Sequence, residues 1–436
     1  MKVYLDNAAT TPLAPEVYEA IAPILKSNFG NPSSSHYFGR NAKALIENSR
    51  RSIARHLNCN TSEIIFTSGG TEADNMALLC AVKELGVKRI ITSKLEHHAV
   101  GHTAENICTQ FNVELQYVKH CGKGNVDLAH LEALLKEPEV TLVSLMLANN
   151  EIGTLLPLEK VAQMCRNHGA FFHSDTVQTM GHYSFDLKEL DIDFLTCAAH
   201  KFHGPKGIGF LYSNSKTQMI PMIHGGAQER GYRGGTENLY GIVGLAAAMD
   251  LAYSDLSGHQ QHVQGLKDYM IHELKQHFSE VYFHGETSKE KSLYTVLNVC
   301  FPATDKASML LFTLDLKGIA ASGGSACSSG STKGSHVLDG IDADMNRPNV
   351  RFSFSRYTTK EEIDYALNEI VNIFKKNIVR RFSLIIQNEN LLLRIYLSLI
   401  CNYWRLSSFV YFRTNRTNPS IATSCSAMLS SVKNNL

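Results

Sequence analysis

Four reactive side chains stand in short segments that could bring them to chemistry: Lys201, Asp175, His97 and Cys327. Lys201 closes Ala198-Ala199-His200-Lys201, after an apolar run and before the turn Gly204-Pro205-Lys206-Gly207. A lysine there is either a solvated turn residue or an amine able to form a Schiff base with a carbonyl cofactor. Asp175 ends His173-Ser174-Asp175 behind Phe171-Phe172, with Gln178 three residues on. An acid at the mouth of a buried strand is costly unless it meets a cation or several donors; the other reading is a helix N-cap. A lysine and an aspartate at neighbouring strand ends suggest an amine and a counter-charge facing one ligand. His97 and His98 follow the run 89–93, with His102 one turn further on. One imidazole could stack on a flat ring. The 98/102 pair could begin a zinc site, yet no third ligand of suitable spacing accompanies it. Cys327 lies in a Gly/Ser segment, 322–331, without apolar neighbours. Such flanks predict an accessible thiol able to travel, as suits a nucleophile that serves two places.

Three further segments complete the set. Ser68-Gly69-Gly70-Thr71 offers backbone N–H groups, a hydroxyl and a helix start, which a phosphate needs; ordinary strand-to-helix turns are glycine-rich too. Asn149-Asn150-Glu151 ends the continuous apolar run 140–147. Arg351 and Arg356 lie in Val350-Arg351-Phe352-Ser353-Phe354-Ser355-Arg356, either as an ion pair at the surface or as a bidentate clamp for a carboxylate.

These residues need a scaffold that gathers strand ends on one edge, and the patterning supplies it. Apolar runs at 63–67, 89–93, 113–118, 140–147, 170–174 and 194–198 alternate with helical stretches at 71–85, 97–111, 127–136 and 157–166. That alternation predicts βαβ units and a mostly parallel sheet covered on both faces, an α/β fold. In such sheets ligands sit at the carboxyl ends of the strands. Beyond residue 240 the pattern changes to helices at 241–253 and 265–278, strands at 292–300, 318–321 and 350–354, and a helix at 360–374 opened by Thr358-Thr359-Lys360-Glu361-Glu362. The expected division is a large domain over 13–257, a smaller α+β domain from 1–12 with 258–377, and a tail over 378–436.

Composition excludes several classes. The 436 residues are 44% hydrophobic and 19% charged, with mean hydropathy -0.13, which is ample for a core and too uncharged for a disordered chain. A net charge of +1 argues against a global grip on nucleic acid or anionic membrane. Ten cysteines without zinc-ribbon or disulfide-scaffold spacing point to a reducing, cytoplasmic setting. The opening MKVYLDNAATTP does not read as a signal peptide. The tail differs from the rest. Residues 378–436 hold seven basic residues and one acid, a net +6 that leaves -5 on residues 1–377, and contain no Gly or Asp. Its apolar stretch 391–412 contains Arg394 and Arg405, which are expensive inside a membrane. No span is expected, and the tail reads as an extension rather than a domain.

Taken together the segments resemble the cysteine desulfurases of the NifS/IscS type, fold-type I pyridoxal-phosphate transferases of the class-V aminotransferase family. The likeness runs through FGNPSSSH (29–36), FTSGGTEADN (66–75), EHHAV (96–100), NNEIG (149–153), HKFHGPKG (200–207), RGYRGGTEN (230–238) and SGGSACSSGS (322–331), nearly all of 1–377. It implies pyridoxal 5'-phosphate tethered by Lys201, with Asp175 on the ring nitrogen, His97 stacked on the ring and Gln178 on the ring oxygen. Gly70, Thr71 and His200 would bind the phosphate, with Thr236 from the second subunit of a homodimer. Asn150, also placed at the cofactor, and Arg351 would hold the carboxylate of L-cysteine, and Cys327 would take its sulfur as a persulfide. An iron–sulfur scaffold or another sulfur acceptor is the implied partner. The only metal contact implied is a transient one of Cys327 with an iron–sulfur cluster. Ala198 departs from the family, which usually has a phosphate-binding Ser there. A selenocysteine lyase or another pyridoxal-phosphate transferase, and a non-catalytic assembly partner, are the competing readings.

Overall fold

A computed structural model describes residues 1–304, 307–324 and 334–375. Cys327 and the tail 378–436 lie outside the described residues. The chain separates into two compact units, Met1–Ile370 and Val371–Leu436; in the second, 371–375 are described and helical.

The first unit is built on a seven-stranded sheet in the spatial order β2 (Ile64–Thr67), β8 (Gly209–Ser213), β7 (Phe194–Ala198), β6 (Phe171–Asp175), β5 (Thr141–Ser144), β3 (Arg89–Thr92), β4 (Glu114–Tyr117). All strands run parallel except β8, which is antiparallel to β2 and β7. The sheet bears out the expected α/β architecture. Its strands are apolar on both faces because consecutive residues enter different cores. Phe66, Ile91, Val143 and Phe210 join one cluster with Ala42, Ile46 and Leu245, while Ile65, Ile90, Leu142 and Leu211 join another with Met76, Val100 and Ile107.

The helices are α1 (Pro15–Ser27), α2 (Tyr37–His56), α3 (Gly70–Lys83), α4 (His98–Phe111), α5 (Leu128–Leu135), α6 (Leu158–Asn167), α7 (Leu239–Ser254), α8 (Leu256–His277), α9 (Leu310–Leu316), α10 (His336–Gly340) and α11 (360–375). Polar side chains start several of them: Asp127 accepts from the N–H groups of Ala129 and His130, and Asn238 from Gly241. Two smaller sheets complete the unit. One is β12 (Asn349–Ser353), β10 (Val296–Cys300) and β9 (Tyr282–His284), antiparallel throughout; the other pairs β1 (Val3–Tyr4) with β11 (Ile319–Ala320) in parallel.

Seven of these elements are absent from the sequence reading: α1, α2, α9, α10, β1, β9 and β8. The last follows β7 with no helix between, so the short connection turns the chain back and the strand runs antiparallel. Among the described residues no single helix is long and apolar enough to cross a membrane.

Candidate active site

The carboxyl ends of β2, β3, β5, β6 and β7 meet around one cavity of about 210 Å³. Its lining includes Gly70, Thr71, His97, Asn150, Asp175, Gln178, His200, Lys201 and Arg351. β2 delivers Gly70 and Thr71 at the first turn of α3, where free N–H groups and the helix dipole favour an anion. A Cβ on Gly70 would stand 2.5 Å from Cγ2 of Val177, so only glycine lets this helix start approach the turn after β6. His97 is the N-cap of α4, its Nδ1 accepting from the Ala99 N–H at 3.1 Å. Asp175 ends β6, and its Oδ1 accepts from the Val177 N–H at 2.9 Å. It caps this turn and not a helix.

The floor of the cavity is rich in buried acids. Asp74 stands 3.4 Å from Nε2 of His173, yet burial raises the acid to about 8 and lowers the imidazole to about 4. Both shifts favour the uncharged forms of the pair. Burial likewise pushes Glu96 well above the usual carboxylate range. Asp175 is raised less, to about 6, by burial and then by Asp74, with His97 pulling the other way. Of these three acids Asp175 is the one shifted least from the usual carboxylate range. His97 and His200 are held neutral chiefly by burial, His200 down to about 4.

The N-terminal segment crosses this site. Nζ of Lys201 donates to the carbonyls of Ala8 at 2.7 Å and Ala9 at 2.9 Å, and Nε2 of Gln178 also donates to Ala8 O at 3.0 Å. The Oγ1 of Thr10 lies 3.1 Å from Nδ1 of His200. The segment is pinned by Leu5 N–H to Ala320 O at 2.9 Å and by Ser353 N–H to Leu5 O at 2.7 Å. Arg351, on β12, is 1% exposed and donates to Asn150 O at 2.9 Å and to Oδ1 of Asp6 at 2.8 Å. A buried guanidinium so oriented is suited to a carboxylate. Arg356, beyond β12, instead donates to Leu251 O at 3.3 Å.

The Aminotransferase class-V profile matches residues 3–366. The chain belongs to this family. Among similar proteins, "Cysteine desulfurase IscS" of Dictyoglomus turgidum is 43% identical over 379 residues, covering 86% of this chain and 95% of the relative. A solved NifS-like protein superposes with a TM-score of 0.79 at 37% identity, covering 86% of this chain and all of its own. A structure described as SspA in complex with cysteine gives 0.70 at 31% identity, covering 82% of this chain and all of its own.

Class-V aminotransferases of this kind use pyridoxal 5'-phosphate, and the donor set fits it. An amine stands at the end of β7, a helix N-terminus with a hydroxyl could take the phosphate, and a buried acid awaits a cation. Asp175, raised by burial, would be drawn back down by a protonated ring nitrogen. Of the residues proposed from sequence, all but two are brought to the cavity. Thr236 lines a separate cavity of about 200 Å³ with Ser68, Gly207 and Arg233. Cys327 lies outside the described residues. His98 and His102 stack at 4.5 Å, and His98 also lies 4.5 Å from His336. Among the described residues no group of three or more His, Cys, Asp or Glu is arranged to hold a metal ion.

Sequence reasoning missed the roles of Ala8, Ala9, Asp6, Asp74 and Met146. The first three lie in the opening motif and Asp74 in FTSGGTEADN, so a signal existed, but nothing local assigns a carbonyl or a buried acid to the site. A larger cavity, about 560 Å³, is lined by Leu147, Leu156, Phe185, Glu159, Asp186 and Asp191 among others; among the described residues no Lys, His or Cys lines it.

Proposed function

We propose that this class-V aminotransferase is a pyridoxal-phosphate-dependent cysteine desulfurase, converting L-cysteine to L-alanine and passing the sulfur from Cys327 to an acceptor protein for iron–sulfur cluster assembly. The observation that carries the reading is the gathering of Lys201, Asp175 and His97 with Asn150 and Arg351 around one cavity, in a chain whose relatives bear that name. Bound there, the cofactor supplies an electron sink for bonds broken at the substrate amino acid.

The residues divide the work. Arg351 and Asn150 take the substrate carboxylate and set which bonds face the ring. Lys201 would tether the cofactor through its amine, and Nζ, at rest against the Ala8 and Ala9 carbonyls, would move protons at the substrate carbons. Asp175 keeps a positive charge on the ring nitrogen favourable, and neutral His97 offers its face to the ring. Thr71, Gly70 and His200 hold the phosphate. The Cys327 thiolate attacks the substrate sulfur: an S–S bond forms, and the Cβ–S bond breaks with its pair left on carbon, which takes a proton. The products are alanine and a Cys327 persulfide. Transamination needs no such thiol.

The chain is read as a cytoplasmic homodimer in which Thr236 reaches the phosphate of the second copy; its place in a cavity separate from that of Lys201 supports this. The proposed division into a large domain, 13–257, and a smaller one, 1–12 with 258–377, has its second boundary in the first turn of α8. The test is incubation with pyridoxal phosphate, L-cysteine and dithiothreitol, scoring sulfide and alanine. Lys201→Ala is expected to abolish both products and Cys327→Ser to stop sulfide. Full sulfide release by Cys327→Ser would remove the proposed nucleophile.

A further inference from the structure

Glu151 has no place in the chemistry above, yet it is completely buried, and its Oε1 has no hydrogen-bond partner among the described residues. Its main chain is locked. The Glu151 N–H donates to Oδ1 of Asn149 at 2.9 Å, and Nδ2 of Asn298 donates to Glu151 O at 3.1 Å. Its Oε2 accepts from the hydroxyl of Ser335, whose Oγ also caps α10 by accepting from the Leu338 N–H at 3.0 Å. A Cβ placed on Gly324 would lie 3.2 Å from the same Oε2 and 3.1 Å from Cβ of Ser335.

Gly324 borders the segment that carries Cys327 on one side, and Ser335, next to Gly334, lies just beyond its other end. Ser335 donates to the carboxylate and Gly324 lies against it. Beside Gly324, Ser322 donates to its carbonyl at 2.8 Å and exchanges backbone hydrogen bonds with Arg351 at 2.6 and 3.2 Å. On the other flank, Val337, Leu338 and Ile341 of α10 pack with Ile152 and Leu95. Asn150, next in sequence to Glu151, accepts from Arg351.

We propose that Glu151 is a positioning residue for the thiol step, holding both flanks of the Cys327 segment to the turn that, with Arg351, receives the substrate carboxylate. The two flanks and the carboxylate-binding Arg351 are thereby referenced to the same turn. A buried carboxylate oxygen without a partner is unfavourable for folding alone, which sets Glu151 apart from ordinary core residues. The inference rests on the reading of Cys327 as nucleophile.

The test uses the full-length holoenzyme. L-cysteine is titrated against the cofactor absorption band, and persulfide on Cys327 is followed by alkylation and intact mass in a single turnover. Glu151→Ala is expected to keep the band and to saturate with L-cysteine within about twofold of wild type, while persulfide forms on the order of 100-fold more slowly, the scale of a misplaced reacting group. Glu151→Gln, which still accepts from Ser335, should recover to within about tenfold. Ser335→Ala should slow persulfide formation alone, and it carries the test if Glu151→Ala does not fold. Wild-type persulfide rates in Glu151→Ala or in Ser335→Ala would overturn the proposal. So would an equal loss of cysteine saturation, or Glu151→Gln no better than Glu151→Ala. Persulfide or sulfide from Cys327→Ser would instead overturn the parent reading.

Discussion

The two sides of the active site are built differently. The cofactor side comes from strand ends of one sheet, where each β-strand hands its last residues to a turn: Gly70 after β2, Asp175 at the end of β6, His200 and Lys201 after β7. The substrate side is stitched from remote pieces. Asp6 meets Arg351 across 345 residues, and Lys201 reaches the carbonyl of Ala8 across 193. The first side depends on local geometry repeated along a sheet. The second depends on three backbone seams, at Leu5–Ala320, Leu5–Ser353 and Ser322–Arg351, any of which moves Arg351 relative to the cofactor. The lesson is that electrostatics reside in the sheet and alignment in the seams, so the two sides should fail in different ways.

The largest expected effect is on the sheet side. Asp175→Asn keeps the shape but removes the acid that burial raises least on the cavity floor, and kcat is expected to fall about 10³-fold. Steady-state alanine production measures it; a change in KM alone would break the contrast. On the seam side, Arg351→Lys leaves a point charge that cannot serve Asn150 O, Asp6 and a carboxylate at once. KM for L-cysteine is expected to rise on the order of 100-fold with a smaller change in kcat. A kcat loss as large as that of Asp175→Asn would merge the two sides into one.

A third measurement separates stability from catalysis. His182 touches the hydroxyl of Tyr294 at 2.8 Å, and burial pushes it down to about 4. The folded state keeps this ring neutral, whereas the unfolded chain takes up a proton near 6.5. Its contribution is thus present above pH 6.5 and is lost as pH falls from 6.5 towards 4, by up to about 3 kcal/mol. Asp74, raised to about 8, acts in the opposite direction, so the group is isolated by comparison with a variant. Urea unfolding of the apoprotein at pH 7 and pH 4.5 should show a smaller decline for His182→Gln than for wild type. Identical declines would remove His182 from the acid response.

The smallest effect concerns the tail. The family match ends at residue 366, before the segment that carries the +6 charge. Removing 378–436 is expected to change kcat/KM by less than about twofold. Loss of folding or activity in that truncation would make the tail part of the enzyme.

Strand ends such as Ser68–Thr71, Asn149–Glu151 and His173–Asp175 were legible because an apolar run, a polar turn and a helical period follow one another within about twenty residues, the span over which backbone periodicity is written. That one local rule yields the α/β sheet and the positions of Lys201, Asp175 and His97. The sequence left Asp175 open between an N-cap and a counter-charge; it proved to cap a turn at the cavity floor. The same rule is silent about β8, which reverses direction without a helix to announce it, and about α1 and α2.

What the sequence by itself determined, then, is the set of reactive side chains and the sheet edge that presents them. Only the tertiary structure decided that the Ala8 and Ala9 carbonyls receive Lys201, that Asp6 holds Arg351, that Asp74 and His173 face each other, and that Glu151 receives Ser335 beside Gly324. Those pairings link segments far apart in sequence, up to 345 residues for Asp6 and Arg351. They are set by burial and by the need of each buried donor for an acceptor, and neither leaves a periodic trace in the chain.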